Sequence, residues 1–366
     1  MSPSRPGAER SEVEYVWPTT IARPQAPMLV IYLDLNHWIG LAKAATSHPD
    51  GKRYLHALEA IRASQRKIVF PLGSVHYMEL TPITSPRQRF DVATIMEEIS
   101  GFASLLSGLD VMRLEIDAAV AKITGTPERH SPVELVGTGV LQSFGRRGGL
   151  RVYDSKTHED VTDVTRAGWP GGPEAYDQWS RTADAELSRA VLRGPSDAEA
   201  EDLRRTGWDP EAARRVAEGR LASELELVEI LNRDDQWRRG RIRDVVSARY
   251  LANDALDIVV EAAAARRVSL KDLCPALESA RWFTDGMPSA DTYITLRTAA
   301  HRNAATRWRT NEIFDVDALS VAVPYCDVVV TEAHAHHVLT AARLPDRVGT
   351  KVFRTIDALV ELLATH

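Results

Sequence analysis

Cysteine is nearly missing from this chain: Cys274 and Cys326 are the only two among 366 residues. Two thiols make neither a disulfide framework nor a Cys-based zinc site, so the sequence predicts a reducing cytoplasm as its setting. Long apolar runs are missing as well. No window approaches the roughly 18 apolar residues of a membrane span, so no membrane association is expected. Residues 1–25 lack the apolar core of a signal peptide and read as a mostly disordered arm. Positive charge is not in excess either. The formal net charge of -6 argues against a surface coated for duplex binding, while leaving room for a local basic patch. There is no internal repeat and no Ser-His-Asp arrangement. The one glycine-rich run, "GRRGG" at 145–149, has neither the lysine of a phosphate loop nor a strand before it. What remains is an ordinary globular composition, 44% hydrophobic and 26% charged. The length suits two domains, or one domain carrying a large insertion.

Five short β-rich runs stand out: Met28–Leu33, Lys67–Leu72, Val111–Leu114, Asp327–Thr331 and Lys351–Arg354. Each is largely unbroken by polar alternation, the pattern of strands covered on both faces. Helical patterns lie between and after them, over Trp38–Ala45, Gly51–Ser64, Val75–Leu80, Arg87–Leu106 and Thr355–Ala364. Strands separated by helices imply parallel crossovers and an α/β sandwich of three layers. The stretch between the third and fourth runs is too long for a compact crossover. Residues 126–194 are rich in glycine, proline and polar residues, and helical patterns follow at Pro210–Leu231 and Val245–Arg266. The expected organisation is a core over 26–125 and 291–366, interrupted at 126–290 by a mainly helical insertion.

In an open parallel sheet, ligands bind beyond the carboxyl ends of the strands. Asp34 ends the first run. Ser74 follows the second at a plausible N-cap, with Glu79 about a turn and a half into the helix it starts. Asp315 and Asp317 open a helix leading into the fourth run, and Glu332 follows that run. Acids from four distant segments therefore map onto one sheet edge. Two like charges 4 Å apart repel by about 4 kcal/mol at an effective dielectric near 20, so without compensation some would take up protons. A divalent cation removes the conflict, and hard oxygen ligands suit Mg²⁺ or Mn²⁺. Such an ion can activate water and stabilise charge at a phosphodiester. Asp327 opens its strand, about 15 Å from Glu332 at about 3.3 Å per residue, and reads as structural.

"YLDLNHWI", "PLGSVHYMEL", "NEIFDVDALSVAVPYCD" and "DVVVTE" together resemble the PIN-domain nuclease superfamily. The resemblance covers roughly 26–125 and 295–366. It implies a three-layer α/β/α core with a five-stranded parallel sheet and acids at its carboxyl edge. It makes Asp34 the leading metal ligand, oriented by Asn36. Glu79 would be the second acid, Asp315 or Asp317 the third, and Glu332 the fourth, where the family usually has Asp. It also implies a metal-dependent endoribonuclease using Mg²⁺ or Mn²⁺, of the kind found in bacterial toxin or defence systems. An RNA substrate and an antitoxin or regulatory partner would follow. The alternatives are a flap- or exonuclease-like DNase and a non-catalytic RNA-binding or interaction module. A phosphatase of the HAD type is disfavoured, because Asn36 stands where Asp-x-Asp needs its second acid.

Several residues also have plainer readings. Ser74 serves as a cap or as a donor to Asp34. His76 reads as a structural histidine, and His334, His336 and His337 as a solvated helix start. Arg297, His301, Arg307 and Arg309 precede the third acid and are candidates for holding backbone phosphates. Trp308 among them either stacks a base or packs, with packing favoured. "WRRGRIR" at 237–243 is a second basic cluster, though a charged run is usually a solvated face.

Overall fold

A computed structural model describes residues 14–365 other than 65–66, 84, 206–208, 210 and 276–279. Its strands are β1 (Ile21–Ala22), β2 (Leu29–Leu33), β3 (Ile68–Val69), β4 (Ala103–Leu105), β5 (Val133–Glu134), β6 (Val136–Thr138), β7 (Val328–Val330) and β8 (Lys351–Phe353). The main sheet is four-stranded and wholly parallel, in the order β3-β2-β7-β8. Ile31 faces Val328 and Leu33 faces Val330 in the central pair. One parallel bridge, Leu72 to Ser104, attaches β4 beyond β3, and β4 also pairs antiparallel with β6.

Strand alternation divides β2 between two cores. Val30 and Tyr32 pack with Val111, Leu114, Ile294, Leu319 and Val323, from the helices Gly108–Thr124, Pro288–Arg302 and Thr310–Tyr325. Ile31 and Leu33 pack on the opposite face with Trp38, Leu41, Ile61, Met96 and Leu359, from the helices Leu35–Ala45, Leu55–Ser64, Pro86–Ser100 and Ile356–Leu363. The class is α/β, with helices covering both faces of a parallel sheet, as unbroken β-branched strands require.

Three expectations are corrected. Val111–Leu114 is helical. Ser107 caps the helix Gly108–Thr124 by accepting the Asp110 amide at 3.1 Å, its hydroxyl donates to the Asp110 carboxylate, and Gly125 ends the helix in the left-handed region. These caps outweigh the β propensity of a four-residue run. The helix expected to reach Leu106 stops at Ser100, because left-handed Gly101 terminates it and frees Ala103–Leu105 to become β4. The arm expected over 1–25 is ordered from Glu14 onward, its earlier part lying outside the described residues. Tyr15 donates to Asp291 at 2.6 Å, Trp17 packs edge-on against Tyr325, and β1 pairs with β5.

The segment 126–290 is mainly helical after β5 and β6. Its members pack on the core helices: Pro173–Arg193 on Pro86–Ser100, Ala212–Arg233 on Thr310–Tyr325, Ile242–Arg249 on Pro288–Arg302, and Leu256–Ala265 on Gly108–Thr124. Leu227, Leu231, Ile242 and Val246 join the core that contains Val30 and Tyr32. Among the described residues no helix is long and apolar enough to cross a membrane.

Glu115 in the helix Gly108–Thr124 is fully buried. It accepts the Ser289 amide at 3.0 Å, the Ser289 hydroxyl, and the Tyr325 hydroxyl at 2.6 Å. Burial, only partly offset by these donors, pushes its carboxyl up to about 7 from 4.5. The folded chain therefore keeps a proton that the unfolded chain has released, and stability should fall as pH rises through that window. The expected loss is at most about 3 kcal/mol. Urea unfolding between about pH 5 and 8 checks this, and Glu115→Gln should flatten the slope.

Candidate functional site

Asp34 leaves the carboxyl end of β2 and occupies the N-cap position of the helix Leu35–Ala45. Its amide donates to Val330 at 3.0 Å, so its backbone is still held by the neighbouring strand. The preceding carbonyl, of Leu33, accepts the Trp38 indole N–H at 3.1 Å and bonds to Nε2 of His76 at 2.8 Å. The Gly73 amide donates to Nδ1 of the same ring at 3.0 Å, so the imidazole is neutral with its proton on Nε2. Burial accordingly lowers the His76 pKa to about 4. His76 sits on the helix Ser74–Leu80. It thus ties the helix carrying Glu79 to the strand carrying Asp34.

The acids respond to one another. Burial, then repulsion from Glu332, raises the Asp34 carboxyl; the Leu35 and Asn36 amides and the Thr331 hydroxyl, 3.5 Å away, oppose the rise. Glu79 is pushed up to about 7 by burial and then by Asp34. Asp315 reaches about 8 through burial, followed by Asp34, Glu79, Glu332 and Glu312. Glu332 is exposed, at the N-cap position of the helix Ala333–Ala341. Among the described residues none of these four acids has an ion-pair partner. They share one edge without closing around a point: no three His, Cys, Asp or Glu side chains among the described residues form a group that could hold a metal ion.

Asp317 does not join them. Two residues apart on a helix is a rotation of about 200°, so Asp315 and Asp317 cannot face the same way. Arg220 from the helix Ala212–Arg233 grips both carboxylate oxygens of Asp317, one at 2.6 Å. Behind that pair lies a cavity of about 400 Å³, lined in part by Tyr32, Ser74, Asp254, Tyr250 and Tyr293. Nothing in the sequence around Arg220, Tyr250 or Asp254 marks these residues, because they meet only through the packing of 126–290 on the sheet.

The remaining candidates divide sharply. Asn36 has an exposed side chain, and its contribution to Asp34 is its backbone amide. Ser74 is not the cap: Gly73 holds that position, and Ser74 lines the cavity. Arg297 and His301 are not phosphate ligands on a surface. Both are buried on Glu224, Arg297 as an ion pair and His301 through Nε2 at 2.6 Å. Arg297 also donates to Tyr293. Trp308 is buried against the His301 ring at 4.7 Å. Arg307 and Arg309 are exposed at the entry to the Thr310–Tyr325 helix. In the second basic cluster, Arg243 is taken by Asp285 and Asp291. Asp327 accepts the Val30 amide at 2.7 Å, the structural role its position indicates.

Compared with protein-family profiles, with curated proteins and with solved structures, the chain gives no match.

Breaking a buried ion pair from one side leaves the other charge stranded. Glu224→Ala is therefore expected to cost about 3–5 kcal/mol in urea unfolding. Arg307→Ala and Arg309→Ala should stay within about 0.5 kcal/mol of the parent chain.

Proposed function

We propose that this protein is a metal-dependent endoribonuclease with a PIN-like core, in which Asp34, Glu79, Asp315 and Glu332 take a Mg²⁺ or Mn²⁺ ion at the carboxyl edge of the sheet. One observation supports the reading: acids from four separate segments lie along that edge within reach of one another's charge, with no cation beside them among the described residues, and an ion would have to draw them together. The order β3-β2-β7-β8, with β4 bridged beyond β3, supports the PIN-like core. The donor set is all oxygen, the chemistry that Mg²⁺ and Mn²⁺ prefer over zinc or copper. A bound divalent ion would supply charge neutralisation, activation of a water and stabilisation of the leaving oxygen.

The chain's own part is positioning. His76 fixes the helix of Glu79 against β2, and the helix N-terminus behind Asp34 favours its ionised form. Thr331 donates a hydroxyl to Asp34 and limits its rotation. Arg220 holds Asp317 away from the other acids. Exposed Arg307 and Arg309, eight and six residues before Asp315 and on the approach to the helix that carries it, are suited to the flanking phosphates of an RNA strand. The helices of 126–290 serve as selector or partner platform, including for an antitoxin-like regulator.

Matched RNA and DNA oligonucleotides incubated with Mn²⁺ or Mg²⁺ test this reading. RNA should be cut, and chelation should stop cutting. Asp34→Asn and Asp315→Asn should each lose about 10²–10³-fold or more in turnover, with Asp317→Asn far less affected. Mn²⁺ should also raise the melting temperature of the parent chain but not of Asp34→Asn. Preferential cutting of DNA would favour a flap-type nuclease. RNA binding that persists without cutting and is insensitive to Asp34→Asn would favour a binding module.

A further inference from the structure

The cavity beside the acidic edge is built from the same elements as the edge. The helix Ser74–Leu80 gives Ser74 and Met78 to the cavity and Glu79 to the acids, while Thr310–Tyr325 gives Asp317 to the cavity and Asp315 to the acids. Tyr32 lines the cavity and lies within the field of Asp34, Glu79 and Asp315. A volume of about 400 Å³ falls within the range of small-ligand pockets.

We propose that this cavity receives one unstacked nucleobase of the RNA strand, guanine in preference to the others. The proposal rests on the nuclease reading for its substrate class. The walls suit a flat ring: Tyr32, Tyr250 and Phe144 offer aromatic surface, and Leu105 and Met112 offer aliphatic surface. The polar wall holds both kinds of partner. Asp254 is a carboxylate whose nearest contacts are the Tyr293 hydroxyl at 3.4 Å and Arg297 at 3.8 Å, which leaves acceptor capacity open. Arg220 uses two of its five donors on Asp317 and another on Tyr293, which leaves two for a ligand. Guanine is the base that offers adjacent N–H donors to a carboxylate while presenting O6 and N7 to a guanidinium.

Tyr250 closes one wall of the cavity. Only 2% exposed and lining the cavity, its hydroxyl has no hydrogen-bond partner. Buried hydroxyls are almost always paired. The Tyr250 hydroxyl is itself shielded from solvent, as is the equally unpaired Tyr176 hydroxyl, so it is the ring of Tyr250 that forms the cavity wall. A purely structural Arg220–Asp317 bridge does not account for the volume.

The test uses nucleosides rather than nucleotides, because a phosphate would be repelled by the uncompensated acids. The full chain in chelator, with no metal and no cleavage, is titrated calorimetrically with guanosine, adenosine, cytidine and uridine. Guanosine should bind at least about 10-fold more tightly than the others. Asp254→Asn should weaken guanosine by about 5- to 10-fold with little change in the melting temperature, since its contacts within the protein are long. Ala318→Phe, which fills the cavity, should abolish binding. Equal binding of all four nucleosides, tighter adenosine, absence of binding, or indifference to Asp254→Asn would each overturn the proposal. Guanosine binding in a chain that cuts no nucleic acid would keep the cavity assignment and remove the nuclease. RNA cutting without nucleoside binding would do the reverse.

Discussion

The last carbonyl of β2 lies in a dry core, and the way it is satisfied sets the geometry of the whole carboxyl edge. Leu33 accepts from both Trp38 and His76, one ring from the helix that follows β2 and one from the helix that follows β3. A buried carbonyl left unpaired costs about 1–3 kcal/mol, so neither helix can drift without exposing that loss. His76 does this only as the neutral imidazole, because Nδ1 must accept from Gly73 while Nε2 donates to Leu33. Its burial and its stacking on Tyr32, with ring centroids 5.0 Å apart, keep it neutral throughout the physiological range. The relative placement of Asp34 and Glu79 is thus fixed by a group that carries no charge and takes part in no exchange of protons.

Charge is handled differently at that edge from elsewhere in the protein. Asp117 is buried against Arg266 at 2.8 Å, Glu224 against Arg297 and His301, and Asp291 against Arg243 and Arg347. In each case a guanidinium offsets the desolvation penalty of the carboxylate. Asp34, Glu79 and Asp315 are partly buried with no such partner among the described residues. Buried Glu115 and Asp184 also lack a guanidinium among the described residues, but each stands alone, whereas at the edge several acids without a cation repel one another.

The doubly covered strands were legible because unbroken β-branched runs suit few conformations besides a buried strand: Met28–Leu33, Asp327–Thr331 and Lys351–Arg354 all correspond to paired strands. Val111–Leu114 misled, since a short apolar run with a single leading valine fits a buried helix equally well. The capping pattern of Ser107 and Asp110 was the local signal that distinguishes the two. Strand-end logic placed the acids at positions 34, 79, 315, 317 and 332 at one edge; all but Asp317, which Arg220 holds aside, act on one another's charge there. The fate of the basic residues was not. Whether Arg297 and His301 face solvent or Glu224 depends on a helix some 70 residues earlier in the chain, a contact that no local pattern encodes. Arg220 and Tyr250 were invisible for the same reason.

The pair Asp315 and Asp317 shows how one helix can serve two neighbouring sites. Their rotation of about 200° sends one carboxylate toward β2 and the other toward the helix Ala212–Arg233, where Arg220 neutralises it. Without Arg220, Asp317 would add a further unpaired charge close to an edge already crowded with them. The helical segment over the sheet therefore does more than cover apolar surface. By drawing one acid aside it limits the repulsion at the edge, and the space left between Arg220, Tyr250 and the Ser74–Leu80 helix is the cavity. Edge and cavity are two consequences of the same packing, so a change in how the Ala212–Arg233 helix seats on Thr310–Tyr325 would alter both together.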